Sequence, residues 1–547
     1  MKRRNFLKIL PPLGVTPFVL NGFSMRPFAN RHMADVLASC DGVSERVLVL
    51  IQMKGGNDGL NTIIPLPHYD RYMELRGSIG IAEAAAIPLD ATLPNGDQIG
   101  LHPAMTGIKA LYDQGWASVV QGVGYQSMNQ SHFKGTDLWL SGGGGSAEMN
   151  NISSGWMGRA LQAFYPEVKG VPTPVVPDPL GIQVGDPSTS LGFHTESEHQ
   201  NAINLSGQDV SGFYSLIQTI GGAPLANIPA TEQGAELDYI MGVERSINLY
   251  AQRITQVFNA GSNAISTYPN TSLASQLKTV ARMIRGGCKT KIYLCQLGGF
   301  DNHSAQVDSA DTSTGTHAQL LQTLSDAVKT FFDDLDLLGI ADQVAACTFS
   351  EFGRCAKENG TLGTDHGTLS PMFVFGKGIR AHVHGTNVDL DDLTSDNQLK
   401  TMQFDYRQIF ASLLQDWLGA NNWVMEQTLF DPYAQISVVD KSYTVGKDCY
   451  IGGTPIMHHP FPKALTISPN PAAISVEVSY ESQTAFEAGL SLHSLGGTVV
   501  ALRREFIQPG TNSFYFEVTA LPAGTYLIRL ENRASGRAEV AKLNVVR

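Results

Sequence analysis

The chain has 547 residues, of which 43% are hydrophobic and 16% charged, a composition typical of folded globular proteins rather than of disordered ones. The length exceeds what one ordinary hydrophobic core serves, so we expect two or three domains. A formal net charge of −12 argues against nucleic acid as the main partner, because phosphate binding needs a basic surface.

The N-terminal segment resembles a twin-arginine export signal. Arg3 and Arg4 precede an apolar run over residues 9–20 that is too short to cross a bilayer. We therefore predict a signal region over residues 1–40 and no transmembrane helix in the mature protein. Two alternatives are a basic amphipathic start on a cytosolic protein and a lipid anchor at Cys40, which ends the stretch "LASC".

Five apolar runs of strand length follow, with helical patterns between them. Their residues are 46–53, 117–124, 291–299, 343–349 and 370–376. Apolar residues at helical spacing predict helices within 102–115 and 320–338. This alternation predicts an α/β domain over residues 44–445, with a doubly wound, mainly parallel sheet and helices on both faces. A helical insertion is predicted at about 230–286.

The six cysteines are widely spaced and form no CxxC pair, which argues against a thiolate zinc site. Some of them could pair in an exported protein, and a disulfide between Cys288 and Cys295 is one option. The sequence leaves the connectivity open.

Near residue 463 the pattern changes to short alternating stretches, among them "ISVEVSY", "NSFYFEV" and "TYLIRL", separated by Gly, Pro and Asn. They predict a small all-β, Ig-like domain over residues 463–547. Residues 521–547, with "SPNPA" at 468–472, resemble the C-terminal sorting domain of the type IX secretion system of Bacteroidetes. The resemblance implies transit through the periplasm to the cell surface or the extracellular space, with the twin-arginine translocase and the type IX machinery as partners. A generic adhesive module is the alternative.

Acidic, imidazole and hydroxyl side chains flank the predicted strands of the α/β domain. Asp58 follows the first strand, Ser131 and His132 the second, Asp301 and His303 the third, Ser350 and Glu351 the fourth, and Asp365 and His366 directly precede the fifth. Ligands of open α/β sheets bind beyond the carboxyl ends of the strands. Mixed carboxylate and imidazole sets suit zinc or manganese, whereas calcium prefers oxygen alone. The sequence therefore predicts a divalent metal site, with zinc or manganese as the favoured ion.

Ser131 is the candidate nucleophile, because a serine at the start of a helix after a strand gains oxyanion stabilisation from the helix dipole and from a metal. Ser127 is the second candidate, and the alternative role of Ser131 is a helix N-cap. His132 is the other catalytic candidate. His132 or His102 alternatively supplies a further metal ligand.

The motifs "GGNDGLNTIIP", "SHFKGTDLW", "GGFDNH" and "FSEFGRCAKENGTLGTDHGTLSPMFVFG" together resemble the DUF1501 family over about residues 46–420. That family is grouped with the alkaline phosphatase and sulfatase superfamily, so the resemblance implies a sheet of alkaline-phosphatase-like type. It also implies one metal bound by Asp58, Asp365 and His366 together with the nucleophile, and a second bound by Asp301 and His303. "SHFKG" differs from the motif that sulfatases convert to formylglycine, which argues against a conventional sulfatase.

These observations predict an exported metal-dependent hydrolase of phosphate or related esters, acting on a small-molecule or glycan ester. The incomplete set of ligands for the second metal favours an alternative, a non-catalytic metal- or glycan-binding cell-surface protein on the same fold.

Overall fold

The computed structural model describes residues 18–20, 23–25, 45–147, 149–166, 168, 170, 172–173, 176–185, 191–195, 202–205, 250–430, 433–445, 465–482, 485–494, 499–508, 510–532 and 538–546. The chain divides into two compact units, Met1–Gly453 and Thr454–Arg547. Within the predicted signal region only a short antiparallel pair is described, β1 (Phe18–Leu20) with β2 (Phe23–Met25). The two arginines, Cys40 and residues 230–249 of the predicted helical insertion lie outside the described residues.

The first unit is built on one large sheet, and five of its nine described strands match the predicted apolar runs. The strands are β3 (Val47–Lys54), β7 (Ala117–Gly124), β8 (Gly181–Val184), β9 (Ala202–Leu205), β10 (Ile292–Gly298), β11 (Val344–Phe349), β12 (Ser370–Phe375), β13 (His382–His384) and β14 (Phe404–Asp405). Their order is β13-β7-β12-β11-β3-β10-β8-β9, with β14 also paired to β7. The five strands that match the predicted runs are β3, β7, β10, β11 and β12. A separate small sheet contains β4 (Ile63–Pro65), β5 (Ile87–Pro88) and β6 (Ile99–Leu101).

Every strand pair of the large sheet is parallel except the two pairs that β12 makes with β11 and β7. The predicted mainly parallel sheet is therefore confirmed. Because β12 runs the other way, it begins at the edge where the parallel strands end. The residues just before β12 thus lie at the same edge as the residues just after β3, β10 and β11.

Helices cover both faces of this sheet. The helices described in the first unit are α1 (Gly59–Thr62), α2 (Tyr69–Leu75), α3 (Thr106–Asp113), α4 (His132–Ser141), α5 (Trp156–Phe164), α6 (Ser272–Arg285), α7 (Thr316–Leu337), α8 (Tyr406–Ser412) and α9 (Asn422–Thr428). Of these, α1 and α2 pack in a separate small core. Residues 250–260 are also helical, and a π-helical stretch (Leu413–Trp417) continues α8. In the part of the chain that the structure describes, no helix is both long and apolar enough to span a bilayer.

The central strand β3 shows why the sheet is covered on both sides. Val49 and Ile51 belong to a core that includes residues of α3, α6 and α7. Leu48 and Leu50 point the other way, into a core that includes residues of α4, α5 and α8. Successive side chains of a strand alternate between faces, so a continuous apolar run requires a hydrophobic layer on each face.

The proposed disulfide between Cys288 and Cys295 is wrong, because both residues are free, buried cysteines. Cys295 lies within the extended strand β10, whereas Cys288 precedes that strand and its Sγ lies 3.2 Å from Thr290 Oγ1. An extended segment carries the two sulfur atoms too far apart for a disulfide bond.

The second unit is an antiparallel β-sandwich. One sheet contains β15 (Leu465–Ser468), β16 (Ser475–Ser482) and β19 (Gly510–Glu517), and the other β17 (Phe486–Ser494), β18 (Val499–Ile507), β20 (Gly524–Asn532) and β21 (Ala538–Val545). Side chains of both sheets, such as Val478 and Phe516 from one and Leu490 and Ile528 from the other, form a single core. The predicted small all-β C-terminal domain is confirmed.

Candidate metal centre

Three imidazoles converge on one carboxylate at the edge where the parallel strands end. Asp301 Oδ1 lies 3.2 Å from His303 Nε2 and 3.3 Å from His366 Nε2, and Asp301 Oδ2 lies 3.3 Å from His132 Nε2. Ligand atoms of His132, Asp301 and His366 all lie within 4.8 Å of one another, a spacing that one metal ion can bridge. Asp301 and His303 follow β10, His132 begins α4, and His366 precedes the antiparallel strand β12. We call these four residues the His₃Asp cluster.

The other ring nitrogen of each imidazole has its own oxygen partner. The Nδ1 atoms of His132, His303 and His366 lie 2.9, 3.0 and 2.9 Å from Glu351 Oε1, Asp365 Oδ1 and the Gln130 carbonyl oxygen respectively. A carbonyl or carboxylate oxygen accepts a hydrogen bond, so these partners favour a proton on each Nδ1, and that arrangement leaves each Nε2, on the side of Asp301, for a second proton or a metal ion. Metal-binding histidines are commonly held in this way.

The closest approach within the cluster is between two imidazole nitrogens. His303 Nε2 and His366 Nε2 are 3.0 Å apart. If Nδ1 is protonated on both rings, two lone pairs face each other at this distance, and they repel unless a proton or a metal ion lies between them. A divalent ion would satisfy both nitrogens and the Asp301 carboxylate at once. The residues present therefore fit a metal with nitrogen and oxygen ligands.

Arg354 fixes the Asp301 carboxylate and keeps it ionised. Its buried guanidinium donates to Asp301 Oδ1 at 2.7 Å and to the backbone carbonyls of Gly56, Phe300 and Thr364. Burial acts to raise the pKa of Asp301, but the hydrogen bond and charge of Arg354 lower it to about 2. Asp301 is therefore a carboxylate at neutral pH.

The surroundings shift the pKa of two of the imidazoles in opposite directions. Burial and the charge of Arg354 lower the pKa of His366, so its ring is neutral and able to bind a metal at pH 7. The hydrogen bond to Glu351 raises the pKa of His132. A raised pKa favours the doubly protonated imidazolium, so a metal that binds Nε2 of His132 would displace the proton from that nitrogen.

Asp58 lies outside the His₃Asp cluster, contrary to its assignment as a metal ligand. It is only 2% exposed, and its Oδ2 accepts hydrogen bonds at 2.5 Å from both Arg76 Nη1 and Gln306 Nε2. Burial acts to raise the pKa of Asp58, but the charges of Arg76 and His317 and the hydrogen bonds from Arg76 and Gln306 together outweigh it, and the pKa falls below its usual value. The carboxylate is thus already neutralised by a buried ion pair.

Replacing Asp58 by alanine is expected to destabilise the first unit by about 3–5 kcal/mol, because the fully buried Arg76 would keep its charge without a partner. Arg76 also donates to the backbone carbonyls of Cys355 and Ala356, so the loop that leads to His366 depends on it. The free energy of unfolding is measured by urea denaturation of the full chain. The matched control is Asp113→Ala, which breaks the exposed pair with Lys109 and should cost less than about 1 kcal/mol. Equal losses in the two variants would contradict the buried ion pair.

Ser131 occupies the N-cap position of α4, but its hydroxyl does not cap the helix. The side chain is exposed, and its backbone N–H donates to Asn129 Oδ1 at 2.9 Å. The alternative role as a capping side chain is therefore not seen. Ser127, the second candidate, is exposed in a loop with a φ of 56°.

Asp365 borders the cluster from the outside. Its Oδ1 faces His303 Nδ1 at 3.0 Å and accepts a hydrogen bond from Asn359 Nδ2 at 3.1 Å. It contacts the His₃Asp cluster through the outer nitrogen of His303 and not at the Nε2 side. The DUF1501 resemblance implied that Asp365 and His366 both bind the metal, yet of the two only His366 faces Asp301.

Two further residues organise the site, and the sequence assigned no role to either. Glu351 is 2% exposed, and its Oε1 accepts both the Gly55 N–H at 2.8 Å and His132 Nδ1 at 2.9 Å. Arg354 is equally buried. In the sequence, Glu351 is recognisable only as a residue that follows the fourth predicted strand. No pattern in the sequence indicated that the side chains of Glu351 and Arg354 are buried.

The chain was compared with curated proteins and with solved structures. No curated protein matches the chain. A protein of the alkaline phosphatase superfamily from Vibrio parahaemolyticus is similar at 8% identity and a TM-score of 0.28, over 91% of this chain and 82% of its own. The PsFucS1 sulfatase from Pseudoalteromonas sp. is similar at 10% identity and a TM-score of 0.33, over 90% and 89%. PorZ, a surface component of the type IX secretion system of Porphyromonas gingivalis, is similar at 12% identity and a TM-score of 0.13. That match covers only 11% of PorZ and 15% of this chain.

Two family models match the sequence. Residues 466–545 match the secretion system C-terminal sorting domain, and this domain marks the protein for export to the cell surface or the extracellular space. Residues 45–428, well over half of the chain, match the model described as "Protein of unknown function (DUF1501)". The chain therefore belongs to the DUF1501 family.

Proposed function

We propose that this exported protein is a metal-dependent hydrolase of phosphate or related esters. The observation that supports the proposal is the His₃Asp cluster, in which three Nε2 atoms face one carboxylate while every Nδ1 is held by an oxygen acceptor. Such an arrangement prepares imidazoles to bind a cation before it arrives.

In this proposal His132, Asp301, His303 and His366 hold one divalent ion, and Asp365 orients His303. His132 is then a ligand and not the catalytic acid or base. Three nitrogens and one carboxylate oxygen suit zinc or manganese. When bound, the ion supplies positive charge that stabilises the negative charge developing on the oxygens of an ester under attack.

The chain contributes the remaining groups. Ser131 is the proposed nucleophile, because its hydroxyl is exposed, is not used in capping and stands at the positive end of α4. Lys54 lines the pocket beside His132 and Asp301, and its charge favours an anionic ester. Glu351 holds the Nδ1 proton of His132 and so keeps Nε2 turned towards the other ligands.

Removing and restoring the metal tests this function. The purified protein is treated with a chelator, dialysed, and reconstituted with zinc, manganese or calcium. We expect the zinc or manganese form to hydrolyse an aryl phosphate, an aryl phosphodiester or an aryl sulfate, and the chelated and calcium forms to be inactive, since calcium prefers an all-oxygen site.

Two results would contradict the proposal. Turnover that persists in protein shown to be metal-free would exclude metal-dependent hydrolysis. One tightly bound ion per chain without turnover of any of the three esters would instead support the alternative of a non-catalytic metal- or glycan-binding surface protein.

A further inference from the structure

A pocket of about 560 Å³ opens beside the His₃Asp cluster. Its residues are Lys54, Gly55, His132, Phe133, Thr136, Asp137, Gly185, Ser272, Gln276, Gln296, Gly298, Gly299, Asp301 and Glu351. The ends of β3, β8 and β10 form its floor, α4 one wall and the start of α6 the other. The volume is sufficient for a small organic group attached to an ester at the metal.

Among the described residues that line the pocket, Phe133 has the only apolar side chain. Phe133 is 89% exposed although it directly follows His132, and none of the described lining residues is aliphatic. Burying an aromatic ring is favourable, so a ring left in solvent at the mouth of a polar pocket is available to a ligand. An acyl chain would find no aliphatic partner in this pocket.

Helix α4 places an acidic group next to this ring. Asp137 is four residues after Phe133, so the two side chains lie on the same helix face. The Asp137 carboxylate accepts no hydrogen bond from the described residues and is exposed. It can accept hydrogen bonds from two neighbouring hydroxyl groups, and its negative charge disfavours a ligand that carries further phosphates.

The opposite wall is rigid and polar. Gln276, in the first part of α6, accepts from the Gln296 backbone N–H at 2.9 Å and donates to the Gln296 carbonyl at 3.0 Å. These two hydrogen bonds fix the start of α6 against the end of β10. This wall is therefore held in place by the fold before a ligand binds, which reduces the entropic cost of binding.

We infer that the pocket binds the sugar of a sugar ester, so that the substrate class is a monosaccharide or glycan phosphate or sulfate. The inference rests on the proposed function, because it assumes that the anionic ester group lies at the His₃Asp cluster. The C–H face of the sugar stacks on Phe133, and adjacent hydroxyls donate to Asp137. A sugar ring has an apolar face and polar edges, and the pairing of one aromatic ring with polar side chains and glycines matches both.

Calorimetric titration of the zinc-loaded full chain tests the inference. The probes are glucose 6-phosphate, AMP, butyl phosphate and inorganic phosphate, and the measured quantity is each affinity divided by that for inorganic phosphate. We expect the highest ratio for glucose 6-phosphate. Phe133→Ala should lower that ratio about tenfold and Phe133→Trp should retain it, as expected for loss and preservation of an aromatic stack. Asp137→Asn should lower it several-fold.

The matched controls are Phe506→Ala, which removes a half-exposed aromatic of the second unit, and Asp113→Asn, which neutralises an exposed carboxylate of another helix. Both should leave the ratio unchanged. A higher ratio for AMP or butyl phosphate, or a glucose 6-phosphate ratio that Phe133→Ala does not move, would overturn the inference.

Hydrolysis of an aryl phosphate, measured on the same preparations, separates this inference from the proposed function. Turnover of the aryl ester with no preference for the sugar ester would overturn the inference and leave the hydrolase proposal standing. A Phe133-dependent preference without any turnover would overturn the hydrolase and keep the pocket as a binding site for sugar esters.

Discussion

An Asp301→Asn variant is expected to lose its divalent ion and, with it, ester hydrolysis. Asp301 is the one anionic member of the His₃Asp cluster, and its oxygens lie 3.2–3.3 Å from all three Nε2 atoms. Asparagine preserves the shape of the side chain but removes the charge. The buried guanidinium of Arg354, 2.7 Å from Asp301 Oδ1, would then repel an incoming cation without compensation.

The expected fall in kcat/KM follows from the transition-state stabilisation that the ion supplies. Loss of about 4 kcal/mol of transition-state stabilisation corresponds to roughly a thousandfold fall in kcat/KM. Mass spectrometry of the metal content should show that the variant retains little zinc or manganese after dialysis. Measuring metal content and rate on the same sample connects the two losses.

Asp308→Asn is the matched control. Asp308 lies in the same loop, is exposed, and its Oδ1 accepts a hydrogen bond from the Ala310 N–H, which an asparagine oxygen can also accept. This variant should keep both its metal and its activity. If Asp301→Asn also kept a full complement of metal and wild-type turnover, the cluster could not be the catalytic metal site.

The strands of the sheet could be predicted because each one is indicated by its own short stretch of sequence. β3, β7, β10 and β11 are continuous apolar runs of strand length, and such runs are typical of strands buried on both faces. The direction of β12 could not be predicted in this way. A strand buried on both faces has the same composition whether it runs parallel or antiparallel to its neighbours, so its direction depends on the path of the chain before it.

That direction decides the composition of the site. With β12 antiparallel, the loop that contains His366 meets the loop that follows β10, and Asp301, His303 and His366 come together in one cluster. The DUF1501 resemblance had implied one metal for His366 and a second for Asp301 and His303. Asp58 does not join them, because Arg76 neutralises its carboxylate inside the protein. In the sequence Arg76 looks like an ordinary surface residue within "MELRGS", and only the packing of α2 shows that its side chain is buried.

The residues that hold the Nδ1 atoms of the imidazoles were the least predictable feature of the site. Gln130 contributes a backbone carbonyl to His366, and any residue type has one. Glu351 was one of several polar residues after a strand, and its distance from His132 in the sequence, 219 positions, gives no local signal. Asp365 and His366 are adjacent in the sequence, but of the two only His366 contacts Asp301, whereas Asp365 contacts Nδ1 of His303.

A Ser131→Ala variant is expected to retain the metal and lose hydrolysis. Ser131 lies outside the His₃Asp cluster, so metal content should equal that of the unmodified protein. In the first step the Ser131 hydroxyl loses its proton to solvent and its oxygen bonds to the phosphorus, while the bond to the ester oxygen breaks and the alcohol or phenol leaves. Without this nucleophile the rate should fall by at least about 10⁴-fold. The hydroxyl makes no capping hydrogen bond, so the unfolding midpoint should not change.

Ser127→Ala is the comparison that makes this result decisive, because Ser127 is the other exposed hydroxyl of the loop between β7 and α4 that the sequence offered as a nucleophile. Retained activity in Ser127→Ala together with lost activity in Ser131→Ala assigns the attack to Ser131. The reverse outcome would move the nucleophile to Ser127. If neither substitution slowed turnover, attack by water would replace the serine mechanism, and the position of Ser131 at the positive end of α4 would have to serve substrate binding alone.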